Sequence, residues 1–435
     1  MSEADVDPQT EPQRTGLLQD RDFVRFWSGE TVSLAGAQVT DFAVLLIAIV
    51  TLQASPFEIG LLNVARYTPY LVLSLFAGVW FDRHRRRPVL IASSLTRAAL
   101  IALIPLASLL GVLSMAWLYV IGFLVGALTV VFDIGSLTYI PGLVDRRHLT
   151  EANGKIQSSY SLAAIAGPGL AGLLVGILTA PLALFVNTAS YLFSALALSL
   201  IRRPEPEPAT PAARTSVFAS IGEGLRAVVG NRMLRDLATQ SATFNLFENA
   251  VTTLFAIYAV RQLGLNAGQL GIVIGAGAVG ALLGAVLCDR VTRFVGLGRT
   301  LRLATLIACT VPLLLLLPRG SGLFALLALA AIWAVNGAHL AIFNVNAVTL
   351  RQTITPGRLL GRMNASYRLI LFGTIPLGAL VGGGLAGAFG LHAGLAIALV
   401  GLALPTLWLP FSPVFTLTAL PPAPEENVGD PGHVV

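Results

Sequence analysis

The sequence predicts an all-α integral membrane protein in which twelve transmembrane helices form two six-helix halves. Only 11% of the 435 residues are charged and 55% are hydrophobic, whereas a soluble domain carries roughly 25% charged residues. Apolar runs of about 20 residues, the length of a helix that crosses a bilayer, follow one another along the chain. The second six runs repeat a pattern found in the first six. Together these observations exclude a soluble globular protein.

Twelve apolar segments, separated by charged residues or by Gly and Pro, are predicted as spans. They lie at residues 26–52, 57–81, 88–112, 115–140, 156–179, 181–201, 236–259, 267–288, 300–317, 322–348, 366–388 and 391–411. A Pro-rich stretch, RRPEPEPATPAARTS at 202–216, follows the sixth segment and continues into SVFASIGEGLRAVVG, which predicts an amphipathic helix at the membrane surface. The predicted order is therefore an N-terminal tail (1–25), an N-terminal half (26–201), a linker (202–235), a C-terminal half (236–411) and a C-terminal tail (412–435).

The placement of basic residues predicts the orientation of the chain. The net charge of +6 could indicate a nucleic-acid partner or the excess of Arg and Lys that cytoplasmic loops carry. With the N-terminus inside, 23 of the 28 Lys and Arg residues fall at the cytoplasmic side and only Arg261 and Arg319 in outer loops. We therefore expect both termini in the cytoplasm and no nucleic-acid partner. Because the N-terminus is polar and acidic, we expect no cleavable signal there. The use of Arg with one Lys, beside an Ala, Gly and Leu bias, indicates a GC-rich genome and a bacterial inner membrane.

The two halves are parallel repeats. A shift of 211 residues aligns FDIGSLTYIPGLVDRRHLTEANG (132–154) with FNVNAVTLRQTITPGRLLGRMNA (343–365), pairing Phe132 with Phe343 and Asn153 with Asn364. Two six-helix repeats joined by a long linker are typical of a secondary transporter that rocks about a site near the bilayer midplane.

A charged motif between the second and third spans carries a family resemblance. In GVWFDRHRRRPVL the residues that match the loop motif G-x-x-x-D-R-x-G-R-R-x-x-L of the major facilitator superfamily are Gly78, Asp82, Arg83, Arg86, Arg87 and Leu90. Arg85 replaces the second glycine of the motif. A degenerate copy with Asp289, Arg290 and Arg293 follows the eighth span. The chain thus resembles this superfamily over nearly its whole length.

The resemblance implies a conformational latch on the cytoplasmic side. An Asp and the Arg four residues on can form a charge-assisted pair, and in the resembled family an acid near the inner end of span 4 pairs with the loop arginine and holds the outward-open state. Asp133 is that acid here, and Asn344 replaces it in the second half, where we expect a weaker latch or none. Alternatively, the charges only set topology. The predicted latch residues are Gly78, Asp82, Arg83, Arg86, Arg87, Asp133, Asp289 and Arg293.

A glycine-rich element in span 5 is similar to a second family motif. In AIAGPGLAGLLVG, residues Gly167, Pro168 and Gly172 approximate the G-P-x-x-G-G element of proton-coupled exporters, with Ala171 in place of one glycine. The resemblance implies export, and the layout, including EANGKIQSS after span 4, looks most like the bacterial branch of macrolide and siderophore exporters. The alternative is generic packing of small residues between helices.

Acidic residues within two spans predict the proton-coupling site. Span 1 has polar residues on one helical face: Glu30, Ser33, Gln38 and Asp41. Span 7 has a matching set: Ser241, Asn245, Glu248, Asn249 and Thr252. A charge at mid-span costs about 2.5–3.5 kcal/mol and is seldom idle, so Asp41 or Glu248 is expected to carry the coupled proton. The alternative is a fixed ion pair with Arg66 or Arg97, and Glu30 is expected to cap or anchor the cytoplasmic end of its span.

Polar and aromatic residues of several spans are candidates for the substrate cavity. They are Gln38, Arg66, Tyr67, Tyr70, Asn245, Asn249, Thr252 and Trp333. Arg66 could bind an anionic group or act as counter-ion of Asp41 or Glu248, and the aromatic rings could stack on a flat substrate or only pack. His339 could belong to a proton relay or pack locally.

The predicted function is a secondary transporter that exports a hydrophobic or amphipathic small molecule, drug-like, macrolide or siderophore, by proton antiport. Proton-coupled metabolite uptake remains the alternative within transport. A membrane enzyme or a sensor is the alternative outside it, but the chain has no phosphate-binding G-x-x-x-x-G-K-[ST] motif, no catalytic signature and no added soluble domain. No metal or cofactor is expected, and the partners are the substrate, protons and the lipid bilayer, with the protein as a monomer.

Overall fold

A computed structural model describes residues 17–81, 84–145, 148–205, 217–417 and 421, without the side chains of 74–80, 217–221, 358 and 372. Its α-helices are α1 (Arg21–Leu46), α2 (Pro56–Phe81), α3 (Arg86–Leu109), α4 (Met115–Leu143), α5 (Leu149–Leu178), α6 (Ala180–Ser199), α7 (Val217–Gly230), α8 (Arg232–Arg261), α9 (Ala267–Val295), α10 (Leu297–Thr310), α11 (Leu323–Ile354), α12 (Gly357–Phe389) and α13 (Leu391–Ala403). Three of them continue into a short helix of another type. A π-helix follows α1 (Ile47–Thr51), and 3₁₀-helices follow α10 (Val311–Leu316) and α13 (Leu404–Trp408).

Every α-helix in the described part of the chain except α7 corresponds to a predicted span. The twelve-span fold class is therefore confirmed. Ten of these helices are long and apolar enough to cross a membrane by composition alone. The other two, α2 and α8, carry polar residues in mid-helix, among them Arg66 in α2 and Glu248 and Asn249 in α8. Polar residues inside spans face a cavity or the bundle interior, so these two helices are the first places to look for a site.

The side of the molecule on which the linker lies is called here the linker face, and the other side the opposite face. Most helices extend beyond the predicted ends of their spans at the linker face. The fifth span begins at Leu149 instead of 156 and α12 at Gly357 instead of 366, while α9 ends at Val295 instead of 288. Charged residues were taken as span ends, yet the helices continue through them, and Lys155 lies 3.8 Å from Glu151 one turn away. Such i,i+4 pairs support helical turns that reach out of the bilayer.

Side-chain caps fix several helix starts. The Asp20 carboxylate accepts the backbone N–H groups of Asp22 and Phe23 at the start of α1, and Asn231 caps α8 in the same way. At α9, Asn266 and Gln269 form a reciprocal capping box. These side chains satisfy amide groups that have no partner inside the helix.

The helices pack as two bundles, α1–α6 and α8–α13, which meet mainly through α2 with α12 and α5 with α9. The closest packing between the bundles lies near the opposite face. A Cβ added at Gly271 would lie 2.7 Å from the carbonyl oxygen of Pro168, and one at Gly172 would lie 2.8 Å from that of Ala267. Only glycine permits this approach, so the bundles are closed against each other at the opposite face.

The predicted amphipathic helix of the linker is present as α7, and it packs on the C-terminal bundle. Gly224 of α7 lies directly against the backbone of Arg362 in α12. The Glu223 carboxylate forms an ion pair with the Arg362 guanidinium. The second part of the linker is therefore attached to the half that follows it.

Candidate functional site

The loop arginines of the predicted latch are tied to the end of α6 and the chain that follows it. The Arg86 backbone N–H donates to Glu205 Oε1 at 2.5 Å, and the Arg87 N–H donates to Oε2 at 3.2 Å. The Arg87 guanidinium also donates to the carbonyl oxygens of Leu198 and Ser199, at 2.9 and 2.6 Å. Glu205 thus caps α3. Sequence reasoning did not single out Glu205, although an acid directly after RRP, at the same face as the loop arginines, is a signal that could have found it.

Asp133 lies apart from these arginines. Its Oδ2 accepts a hydrogen bond of 2.8 Å from Tyr70 Oη, and among the described residues Arg86 pairs with Glu205 instead. The fourth helix runs three residues beyond the predicted end of its span, which places Asp133 deeper in the bundle than expected. Asp82 and Arg83 lie outside the described residues, as does the packing around Gly78, so the latch itself stays a prediction.

The second copy of the loop motif is a surface ion pair. Arg293 bonds to Asp289 one helical turn away, and the two side chains are 73% and 76% exposed. A pair so open to solvent contributes roughly 0–1 kcal/mol. This exposure fits the expectation of a weaker latch in the second half.

A cavity of about 160 Å³ in the N-terminal bundle, called here the N-half cavity, brings together five charged residues of the spans. It lies between α1, α2, α3, α4 and α6, and its charged lining consists of Glu30, Asp41, Arg66, Arg97 and Asp133. The Arg66 guanidinium forms an ion pair with Asp41. Of the two roles weighed for Arg66, the structure therefore shows the counter-ion of Asp41. Tyr67 and Tyr70 line the same cavity.

Glu30 and Arg97 are the functional candidates that sequence reasoning undervalued. Glu30 was expected to cap or anchor its span, but it is 4% exposed in the cavity wall, with Tyr160 Oη 3.5 Å from Oε1. Arg97 is 3% exposed and lies over two rings, 4.2 Å from the centroid of Phe132 and 4.4 Å from that of Tyr191. The cap assignment is wrong because α1 begins at residue 21, which leaves Glu30 more than two turns inside the helix. Its helical spacing to Asp41 already indicated the same cavity-facing surface.

The C-terminal bundle has an equivalent cavity with different chemistry, called here the C-half cavity. It measures about 120 Å³, and its polar lining includes Gln240, Ser241, Asn245, Asn344, Arg351 and Tyr367. The 211-residue shift places Ser241 at Glu30, Ala308 at Arg97 and Asn344 at Asp133. The repeat therefore extends to the cavities, while the three buried charges of the first half are replaced by neutral residues in the second.

Glu248 lies in a third space, called here the Glu248 cavity. This cavity of about 300 Å³ between α8, α9 and α11 is lined by Glu248, Ile274, Gly277, Ala278, Ala281, Trp333, Asn336, Gly337, Leu340, Ala341 and Asn344. None of the other lining residues is charged. Asp41 and Glu248 thus lie in separate cavities with different neighbours.

The other cavity candidates have local roles in the described cavities and contacts. Asn245 and Asn249 donate to backbone carbonyls of their own helix, at 2.9 and 2.8 Å, although Asn245 also lines the C-half cavity. Gln38 packs on Gly167 of α5, and Thr252 is exposed on α8. The His339 Nδ1 atom lies 2.8 Å from the Val335 carbonyl oxygen of its own helix, as the local alternative anticipates.

The glycine-rich element of α5 lies at two packing surfaces. Gly167 meets α1, whereas Pro168 and Gly172 meet α9 of the other half. The element therefore belongs to the contact that closes the opposite face. This position agrees with both interpretations of the element, the exporter motif and generic packing of small residues, because each requires the helices to approach closely.

Twelve spans in two repeated bundles, with charged and polar cavities inside them, define a secondary transporter of the major facilitator fold. The family model of transmembrane secretion effectors in this superfamily matches residues 16–431, and the chain belongs to that family. It is 28% identical over 372 residues to the multidrug efflux pump Tap of Mycolicibacterium fortuitum, covering 83% of this chain and 88% of that protein.

Two further comparisons extend this assignment. The macrolide efflux protein A of Streptococcus pyogenes is 21% identical over 266 residues, 61% of this chain and 65% of that protein. A bacterial homologue of the iron transporter ferroportin, solved in an inward-facing state, superposes with a TM-score of 0.71 at 18% identity, covering 92% of this chain and 99% of that chain. The family and these relatives are transporters, which removes the membrane enzyme from consideration.

Proposed function

We propose that the protein exports a hydrophobic or amphipathic small molecule from the cytoplasm by proton antiport, with alternating access. The observation that carries the proposal is the pair of acids, Asp41 and Glu248, in cavities below a closed opposite face. Carboxyl groups in spans mark proton relays when they line a cavity. Relatives named as multidrug and macrolide efflux proteins support the direction of transport.

The described conformation corresponds to one stage of the cycle. With the opposite face closed, substrate enters the bundle from the linker face, which the distribution of basic residues assigns to the cytoplasm. Rocking of the two bundles then opens the opposite face. A proton from outside neutralises an acid in the cavity and lowers its attraction for the substrate, and release of that proton inside restores the charge.

The two acids differ in their suitability for this step. Asp41 already has Arg66 as a partner, so proton uptake on Asp41 would also release a guanidinium into the cavity. Glu248 has no basic partner among the described lining residues. We therefore assign the coupled proton to Glu248 first and treat the Asp41–Arg66 pair as a second element of the switch.

The proposal includes the setting of the protein. It is a multi-pass membrane protein, placed in the bacterial inner membrane with both termini in the cytoplasm and acting as a monomer. Proton-coupled uptake uses the same fold and cavities, so only a direct measurement of flux separates it from export.

Inverted vesicles that contain the protein provide the test. An internally acidified vesicle with a pH-sensitive dye should lose protons when a transported amphiphile is added, and cationic, neutral and anionic amphiphiles are compared in turn. Glu248→Gln and Asp41→Asn should each reduce this signal at least tenfold, whereas Glu151→Gln, at an exposed acid outside the cavities and the latch, should leave it unchanged. Full signal in both cavity variants would refute the coupling site, and substrate accumulation driven in the opposite direction would establish uptake instead.

A further inference from the structure

Three polar atoms without partners converge on the Glu248 cavity. They are Glu248 Oε2, Asn336 Oδ1 and Trp333 Nε1, each of which is buried and lacks a hydrogen-bond partner in the described structure. All three residues line the cavity, and the Asn336 side chain contacts the Glu248 carboxyl. Buried polar groups in folded proteins are nearly always satisfied. Two of these atoms are oxygens that need a hydrogen-bond donor and the third is an N–H that needs an acceptor, so the two oxygens indicate a ligand with a donor group at this end of the cavity.

The charge of the residues that line the cavity indicates the charge of the ligand. Glu248 also lines a smaller adjoining cavity. Among the described residues of α8, α9, α11 and the extension of α10 that line the two cavities, Glu248 is the one with a charge. Outside this lining, the thiol of Cys309 on α10 is a titratable group that interacts electrostatically with Glu248. By contrast, Asp41 has Arg66 beside it. Because an unpaired carboxylate in a span is costly, a cation from outside the protein is the natural partner of Glu248.

The aromatic ring and the small residues complete the shape of the site. Trp333 is held against Phe255 with their ring centroids 5.4 Å apart. Gly277 faces the Trp333 ring, with an added Cβ only 3.3 Å from Cε3, so the ring is seated against α9. Tryptophan is the best aromatic partner of a cation, and the Gly and Ala residues of α9 leave an apolar wall for the rest of the molecule.

We propose that the Glu248 cavity is a subsite for the protonated amine of an amphipathic organic cation. The ammonium donates to Glu248 and Asn336 and lies over the face of Trp333, while the apolar part of the molecule extends along α9. A bare metal ion fits less well, because the described chain brings together no group of three or more His, Cys, Asp or Glu side chains that could hold one. The inference rests on the proposed function, since it names the class of substrate that the same acid exchanges for a proton.

Equilibrium binding to the purified full-length protein in lipid nanodiscs tests the subsite. The probe is dansylcadaverine, a fluorescent primary amine, and its neutral partner is the N-acetylated form with the same apolar body. At pH 7 the amine should bind at least tenfold more tightly than the acetylated form. Glu248→Gln should weaken amine binding at least tenfold and change binding of the neutral probe less than twofold. The matched control Glu151→Gln makes the same change at an exposed acid outside the cavities and the latch and should change neither.

A second measurement on the unaltered protein guards against a variant that fails to fold. Modification of Glu248 by dicyclohexylcarbodiimide, followed by mass spectrometry, should be slowed at least fivefold by dansylcadaverine and not by the acetylated probe. Equal binding of both probes, or no protection of Glu248, would overturn the subsite. Amine binding with no proton movement in vesicles would leave the subsite in place and refute proton antiport, whereas proton movement without amine selectivity would do the reverse.

Discussion

At the scale of single residues, the charges that line the N-half cavity include an ion pair and an arginine stacked on aromatic rings. Asp41 and Arg66 form an ion pair with exposed fractions of 50% and 22% for their side chains. Arg97 lies between two aromatic rings. The sequence located these residue types and their helical faces, but the partner of each charge depends on distances between helices that spacing along one helix does not contain.

The Asp41–Arg66 pair should show energetic coupling. Either Asp41→Asn or Arg66→Gln leaves one charge without its partner, whereas the double variant removes both. Since the pair is partly open to solvent, the coupling energy should be about 1 kcal/mol and well below the 3–5 kcal/mol of a fully buried pair. Thermal unfolding of the four proteins in a double-mutant cycle measures it, and simple additivity of the two single changes would show that the pair contributes nothing.

Arg97 should not tolerate lysine. Arg97→Lys keeps the charge but loses the flat guanidinium that lies over Phe132 and Tyr191, so we expect a loss of about 1–2 kcal/mol of stability. The control is Arg302→Lys on the exposed side of α10, which donates to a single carbonyl of Phe415. The midpoint of thermal unfolding should fall for Arg97→Lys alone, and equal midpoints for both variants would contradict the stacked role.

At the scale of helices, the existence and order of the spans followed from hydropathy, whereas their ends did not. Leu149 and Gly357 begin helices seven and nine residues before the predicted spans at 156 and 366. Hydropathy detects where a helix leaves the bilayer, but caps and charge pairs decide where the helix ends. Asp133 and Glu30 were placed too close to the membrane surface for the same reason.

The contact between α5 and α9 should control closure of the opposite face. Gly172→Leu adds a side chain where a Cβ would lie 2.8 Å from the Ala267 carbonyl oxygen, so the bundles should be held apart there and transport lost. Gly176→Leu, one turn further along, is the matched control because nothing lies within 4 Å of its added Cβ. Spin labels at Leu110→Cys and Leu317→Cys, on opposite-face loops of different halves, should separate in the first variant only. Unchanged label distances with Gly172→Leu would show that closure does not depend on this contact.

At the scale of the whole molecule, the chain between the halves is fastened at both ends. The Asp22 carboxylate accepts the backbone N–H groups of Arg202 and Arg203, and Glu205 bonds to the start of α3. In the second part of the linker, α7 is held on α12 by the Glu223–Arg362 ion pair. Residues 206–216 lie between Glu205 and the start of α7.

Cutting the chain in this interval should leave transport intact. A protease site inserted between residues 206 and 216 and cleaved in the membrane, or two co-expressed halves divided there, should retain at least half of the proton flux because each half keeps its own attachments. A cut at the matched position after Gly230, between α7 and α8, should be more harmful because it separates α7 from the helix that begins at Arg232. Equal loss of flux at both positions would show that the continuous chain is needed.

The double attachment of the linker has a mechanical consequence. The eleven residues 206–216 can reach at most about 36–40 Å, at 3.3–3.6 Å per residue. The described contacts hold the linker on each half separately, at Glu205 on the first and at α7 on the second. Among the described residues, the halves touch each other mainly through α2 with α12 and α5 with α9. We therefore expect the free-energy difference between the two states of the proposed cycle to reside in the packing of these four helices.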